Sequence, residues 1–272
     1  MYGTTTFGGN TTPCVTYTAP TGCGTIFELS PNGSGGWTEN VLYRFQGSPD
    51  GANPNEVIFG GSGILYGVSG GGSTSCQQYV NGFDCGTVYE MHRTPSGWVK
   101  STLYLFKGGT DGFAPGGSLA LDASGNLYGA TGLGGIAFPN AGDGTVYQLS
   151  QGLGGYWTET VIYTFTGLLD GADPMAGVLL DSSGSLYGLT IAGGTTTENF
   201  GGGTLFKLTP NSGGQWSENT IYSFQNIADG LSPQEGQLAR DGNGNFYATM
   251  LVGGRSSANC PYGCGTVVEV AP

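Results

Sequence analysis

Residues 157–165 read WTETVIYTF. Trp157, Glu159, Val161, Tyr163 and Phe165 fall on one face of an extended chain, and Thr158, Thr160, Ile162 and Thr164 fall on the other. Alternation with a period of two marks a β-strand, whose successive side chains point to opposite faces. The phrase returns as WTENVLYRF from Trp37, WVKSTLYLF from Trp98 and WSENTIYSF from Trp216, with Trp and Tyr always six residues apart. A strand that recurs with the same internal spacing predicts a repeat architecture, which has to be read before any single residue.

Three further strand-like phrases lie around each copy. One follows a proline (PGGSLALD from Pro115, PMAGVLLD from Pro174), one contains the Leu-Tyr-Gly word (NLYGAT, SLYGLT), and one begins Gly-Thr (GTVYQL from Gly144, GTLFKL from Gly203, GTIFEL from Gly24). β-branched and aromatic residues fill these segments, and Gly, Asn, Asp and Pro separate them. DASGN (122–126), DSSGS (181–185) and DGNGN (241–245) are tight turns between strands one and two, while FGGSGI (59–64) is shorter and lacks the Asp. The second-strand tyrosines Tyr2, Tyr66, Tyr128, Tyr187 and Tyr247 are spaced by 64, 62, 59 and 60 residues. Solenoid repeats run roughly 20 to 45 residues, so a period near 60 with four strands favours propeller blades. The expectation is a single all-β domain, a β-propeller of about five four-stranded blades, with units at 1–53, 54–114, 115–173, 174–232 and 233–272.

The first unit supplies strands two to four and the last supplies strands one to three, which predicts incomplete first and last blades. The opening MYGTTTFGGN is then the second strand of a blade, with no apolar run of signal-peptide type. Unpaired edges invite association, so the expected occupant of the gaps is a longer repeat array or a neighbouring copy.

The words LYGATGLGG, GTVYQL, VIYTFTG and DGADP together resemble the GloVer tandem-repeat family of bacterial proteins, along essentially the whole chain. That resemblance implies an exported, often surface-attached protein. It implies no activity.

Composition narrows the partners. The net charge is −12 with seven Lys plus Arg, which excludes the basic footprint that nucleic acid or an anionic membrane requires. No stretch approaches the roughly 20 apolar residues that span a bilayer, so membrane insertion is not expected. CGT recurs at Cys23, Cys85 and Cys264, each with one upstream cysteine in its own repeat. Six cysteines allow 15 connectivities. Repeat symmetry selects Cys14–Cys23, Cys76–Cys85 and Cys260–Cys264, and places the chain outside the cell or on its surface.

These cysteines lie in the loop between strands two and three. From the second-strand Tyr to the Gly of Gly-Thr that loop spans 22, 20, 16, 16 and 18 residues, the most variable connection in the repeat. Variable loops on a rigid scaffold carry binding sites. The aromatics there that break the repeat are the candidate ligand contacts: Tyr17, Tyr79, Phe83, Phe138, Phe200 and Tyr262. The once-per-blade tryptophans read instead as packing residues. On the same face stand DGANP, DGFAP, DGADP and DGLSP, with Asp50, Asp111, Asp170 and Asp229. A ring of carboxylates is a candidate Ca²⁺ site. An Asp in every such connection also fits a turn closed on its own backbone, the preferred reading. No cofactor motif is present.

Two readings of function follow. The first is a binding, adhesion or structural module whose partners are an extracellular glycan, a protein or copies of itself. The alternative is an extracellular polysaccharide-cleaving hydrolase or lyase. Glycoside hydrolysis needs two carboxyls roughly 5 to 10 Å apart. Glu56 and Glu235 are the candidates, because both lie two residues after the repeat proline, where other units have Gly117 and Ala176. Asp143 and Asp173 are further single-copy acids on that face. Ser69 in GVSGG matches G-x-S-x-G with no helix behind it, and His92, expected just after strand three, lies on the opposite face, so a serine triad is not expected.

Overall fold

The computed structural model describes residues 1–10, 14, 22–73, 84–136, 141–195, 201–225, 230–233, 238–258 and 260–271. They form five separate antiparallel sheets, the blades of a β-propeller. Blade one contains β1 (Tyr2–Thr5), β2 (Thr25–Pro31) and β3 (Trp37–Arg44). Blade two contains β4 (Ala52–Phe59), β5 (Leu65–Gly71), β6 (Thr87–Thr94) and β7 (Gly97–Leu105). Blade three contains β8 (Phe113–Leu121), β9 (Leu127–Leu133), β10 (Thr145–Gln151) and β11 (Trp157–Thr164). Blade four contains β12 (Val178–Leu180), β13 (Leu186–Thr190), β14 (Thr204–Pro210) and β15 (Trp216–Ser223). Blade five contains β16 (Leu231–Pro233), β17 (Ala239–Arg240), β18 (Phe246–Val252) and β19 (Thr266–Val270).

Among the described residues blade one shows no first strand and blade five no fourth, as the sequence reading expects. In blade five the described first-strand residues are those of β16 and β17, both paired with β18. In blade four strand one starts at Val178, not at Pro174. Met175 N–H donates to the Asp173 carbonyl and Gly177 adopts φ 76°, so residues 174–177 turn instead of extending. His92 falls inside β6, opposite Val99, and not after the strand.

Repetition extends to fine geometry. The pairing of strands three and four slips at the same place each time, at Ile26/Phe27, Val88/Tyr89, Val146/Tyr147 and Leu205/Phe206. Such bulges increase local twist and bend the outer strand. Four hydroxyl pairs tie strand two to strand three: Thr5–Thr25, Ser69–Thr87, Thr131–Thr145 and Thr190–Thr204, at 2.7–2.9 Å. Ser69 also donates to the Gly71 carbonyl, as Thr5, Thr131 and Thr190 do two residues ahead. Its hydroxyl is buried and committed to the scaffold, which explains GVSGG without a nucleophile.

Core side chains fill the seams between blades. The cluster between blades two and three contains Val68, Val88, Phe106, Phe113, Leu127 and Tyr147, all buried. Among the described residues no helix is long and apolar enough to cross a membrane.

Candidate functional site

Inner strands meet closely at the axis. Ser118 of β8 bridges Gly177 just before β12. A Cβ on Gly117, at φ 61°, would lie 2.2 Å from the Ala176 carbonyl carbon. Only glycine allows that backbone approach at positive φ. The cavity that remains, about 300 Å³, is lined by Ile58, Leu119, Leu121, Val178, Leu180 and Leu238 among others, mostly aliphatic side chains with Ser118 beside them and, among the described residues, no carboxylate. Glu56 sits half-buried in the irregular stretch of β4 between Pro54 and Val57, outside this lining. Its proposed partner Glu235 lies outside the described residues. Asp143 and Asp173 do meet on the loop face, where Asp173 N–H donates to the Asp143 carbonyl.

The loop face carries the disulfides. Cys14–Cys23 and Cys260–Cys264 are formed. Cys85 is also disulfide-bonded, and Cys76 lies outside the described residues. Cys14 and Cys23 are buried in the core cluster of blades one and two, so this bridge anchors its loop to the scaffold. Of the candidate ligand aromatics, Tyr17, Tyr79, Phe83, Phe138 and Phe200 lie outside the described residues. Tyr262 stands between Cys260 and Cys264 and is 68% exposed.

The repeat aspartates close their own turns. Tyr43, Tyr104 and Tyr163 donate their hydroxyls to Asp50, Asp111 and Asp170, each seven residues ahead. The backbone N–H of Gln46, Lys107 and Thr166, four residues before each Asp, donates a second hydrogen bond to the carboxylate. The carboxylates are thereby turned onto the chain that carries them. Among the described residues no group of three or more His, Cys, Asp or Glu is placed to hold a metal. Asp229 lies outside the described residues.

The tryptophans pack across seams. Tyr2 meets Trp98, Tyr66 meets Trp157 and Tyr128 meets Trp216 edge to face, at 6.2–6.5 Å between ring centroids. Each pair joins strand two of one blade to strand four of the next. Trp37 has no such partner among the described residues and is 56% exposed.

Sequence reading alone missed the residue two places after each Trp. Lys100 reaches back to Asp50 at 3.1 Å, with its side chain only 2% exposed and its ammonium 5.6–5.8 Å from the Tyr43, Phe45 and Tyr89 rings. At the next seam the same position holds Glu159, facing Asp111. Burial first, and the Asp111 charge second, push the Glu159 carboxyl up to about 8, with Lys107 acting weakly the other way. Glu218 facing Asp170 is also raised, by burial and then by that charge, against a hydrogen bond from Thr220. Aligning the fourth strands would have shown Glu39, Lys100, Glu159 and Glu218 in register, but not what they face.

Known proteins fit this architecture. A family model described as the Gloeobacter/Verrucomicrobia repeat matches residues 1–268, and the chain belongs to that family. No curated protein matches it. Among solved structures it is similar to a luciferin-regenerating enzyme, at 13% identity and TM-score 0.57 over 94% of this chain and 75% of that one. A putative 6-phosphogluconolactonase from Bacteroides fragilis matches at 19% identity and TM-score 0.54, over 94% of this chain and 65% of that one. A protein of unknown function from Dyadobacter fermentans matches at 14% identity and TM-score 0.50, over 83% of this chain and 64% of that one. The chain thus spans less than two thirds of the length of the last two, and the likeness is one of fold.

Proposed function

We propose that this member of the Gloeobacter/Verrucomicrobia repeat family is an extracellular or cell-surface binding module that captures a glycan or protein on its loop face. The observation that carries the reading is the fixing of the most variable loops by disulfides, with Tyr262 held exposed between Cys260 and Cys264. A cross-linked loop loses less entropy on binding, so exposed aromatics on it bind with less ordering cost. The axial alternative, cleavage of polysaccharide, has an apolar cavity and a close inner-strand approach against it. One glycan array read twice separates the two. Saturable binding without new reducing ends, lost in Tyr262→Ala, supports capture. Release of reducing ends that disappears in Glu56→Gln/Glu235→Gln overturns it in favour of hydrolysis.

A second reading, a structural module contacting copies of itself, draws on Trp37, exposed where its counterparts are covered, and on exposed Leu251 and Val267 of blade five. Concentration-dependent light scattering that vanishes in Trp37→Ala supports it. A concentration-independent monomer refutes it.

A further inference from the structure

Blades one, two and five carry CGT, but blade three carries DGT and blade four GGT. In blade one the Cys14–Cys23 bridge packs over Gly47, where a Cβ would lie 3.5 Å from the Cys23 sulfur and 4.0 Å from the Cys14 sulfur. Gly167 is the equivalent glycine after blade three. There the Asp143 carboxylate takes the place of the disulfide, with Oδ1 2.5 Å from a Cβ built on Gly167.

The exchange leaves a cavity. It measures about 510 Å³ at the loop-face seam of blades three and four, with Asp143, Leu168, Leu169, Ala172, Ala192 and Thr195 in its wall. Ligand pockets fall between roughly 300 and 1,000 Å³ and combine an apolar lining with a few polar groups. Leu168 and Leu169 are 69% and 65% exposed. The corresponding residues are Ser48–Pro49 and Gly109–Thr110 in the earlier connections and Ile227–Ala228 in the next, so the pair of leucines occurs in this connection alone.

The carboxylate in the wall is half-buried. Among the described residues nothing hydrogen-bonds to the Asp143 carboxylate, and the ion pairs lie elsewhere, at Glu90–His92, Asp50–Lys100 and Asp181–Arg240. Asp170 stands close enough for its charge to act on Asp143, and its own oxygens are taken by Tyr163 and Thr166. Burial first, and the Asp170 charge second, raise the Asp143 carboxyl above its ordinary value. Two neighbouring carboxylates with no cation between them attract positive charge. A bare Ca²⁺ ion would want six to eight oxygen ligands, whereas the oxygen-bearing side chains in this wall are those of Asp143 and Thr195.

We propose that this cavity binds a small organic cation, with a primary ammonium against Asp143 and an apolar body against Leu168 and Leu169. The proposal does not depend on glycan capture, and the two tests use different ligands and fail separately.

The test titrates the full chain, labelled with ¹⁵N, with three probes of nearly equal shape: benzylamine, benzyl alcohol and benzoate. Benzylamine is expected to bind saturably, shifting the amides of Gly167, Gly193 and Gly194. Benzyl alcohol should bind roughly tenfold more weakly and benzoate more weakly still, since a charge-assisted hydrogen bond is lost or reversed. Asp143→Asn should bring benzylamine down to the level of the alcohol. Leu168→Ala/Leu169→Ala, which alters only exposed side chains, should weaken amine and alcohol together. Equal binding of amine and alcohol, amine binding unchanged in Asp143→Asn, shifts confined to other blades, or no saturation by tens of millimolar amine would each overturn the proposal.

Discussion

The seam between blades one and two and the seam between blades two and three are built from the same parts. Tyr43, Phe45 and Tyr89 stack edge to face at the first, at 5.3 and 5.4 Å, and Tyr104, Phe106 and Tyr147 at the second, at 5.3 and 5.1 Å. An aspartate closes the turn beside each set. Into the first reaches Lys100, into the second Glu159. One seam therefore holds a covered ion pair flanked by rings that favour a cation, and the other holds two carboxylates in the same surroundings. The scaffold tolerates both because aromatic packing and the Tyr–Asp turn supply most of each seam. The charge then decides how that seam responds to pH.

Reversing the charge at the first seam should have the largest effect. Lys100→Glu removes the cation from Asp50 and sets a second, largely covered carboxyl beside it, and urea denaturation should register a loss of about 3–5 kcal/mol. An unchanged midpoint would mean that the pair contributes nothing. Removing a covered ring comes next: Trp157→Ala should cost about 2–3 kcal/mol through lost packing on Tyr66, whereas Trp37→Ala should stay within about 0.5 kcal/mol. Equal losses would contradict the seam assignment of the tryptophans.

The second seam should show itself in pH. Glu159 holds its proton to about 8 in the fold, against an ordinary carboxylate value of 4.5. The native state therefore binds one more proton than the unfolded chain between these values. Stability should be greatest at the acid end of that window, fall as pH rises and level off above about 8. The drop should be roughly 1–2 kcal/mol after allowing for partial solvent access. Glu159→Gln should flatten this profile, and Glu159→Lys should install the arrangement of the first seam and raise stability above pH 8. A profile with the same slope in wild type and Glu159→Gln would remove Glu159 from the account. The smallest effect is expected from Tyr163→Phe, about 1 kcal/mol for the hydrogen bond to Asp170, and the same from Tyr43→Phe, since that contact is common to both kinds of seam.

Much of the architecture was legible because it repeats. A Trp–Tyr spacing seen four times identifies strand four without reference to its neighbours, and the CGT register selected the two disulfide pairs the structure describes in full. Trp98, Trp157 and Trp216 pack as the repeat suggests, although their partners lie on another blade, while Trp37 is exposed. The first strands were less legible. Pro174–Gly177 has the composition of its counterparts but turns, because Met175 N–H donates to the Asp173 carbonyl and Gly177 takes positive φ and bridges Ser118 of the neighbouring blade. The charge at each seam and the carboxylate in place of a disulfide were visible as residues but not as contacts.

Strand content, the number of strands per blade and the Cys14–Cys23 and Cys260–Cys264 pairs follow from the amino-acid order, because each depends on spacing within about 60 residues along one chain. Only the tertiary structure decided what faces what across a seam. Lys100 and Asp50, Glu159 and Asp111, and Asp143 and Leu168 lie on different blades or connections, and no local period encodes such neighbours. Closing the sheets around an axis brings them within a few ångströms, and there burial sets whether a charge is paired, protonated or left to attract a ligand.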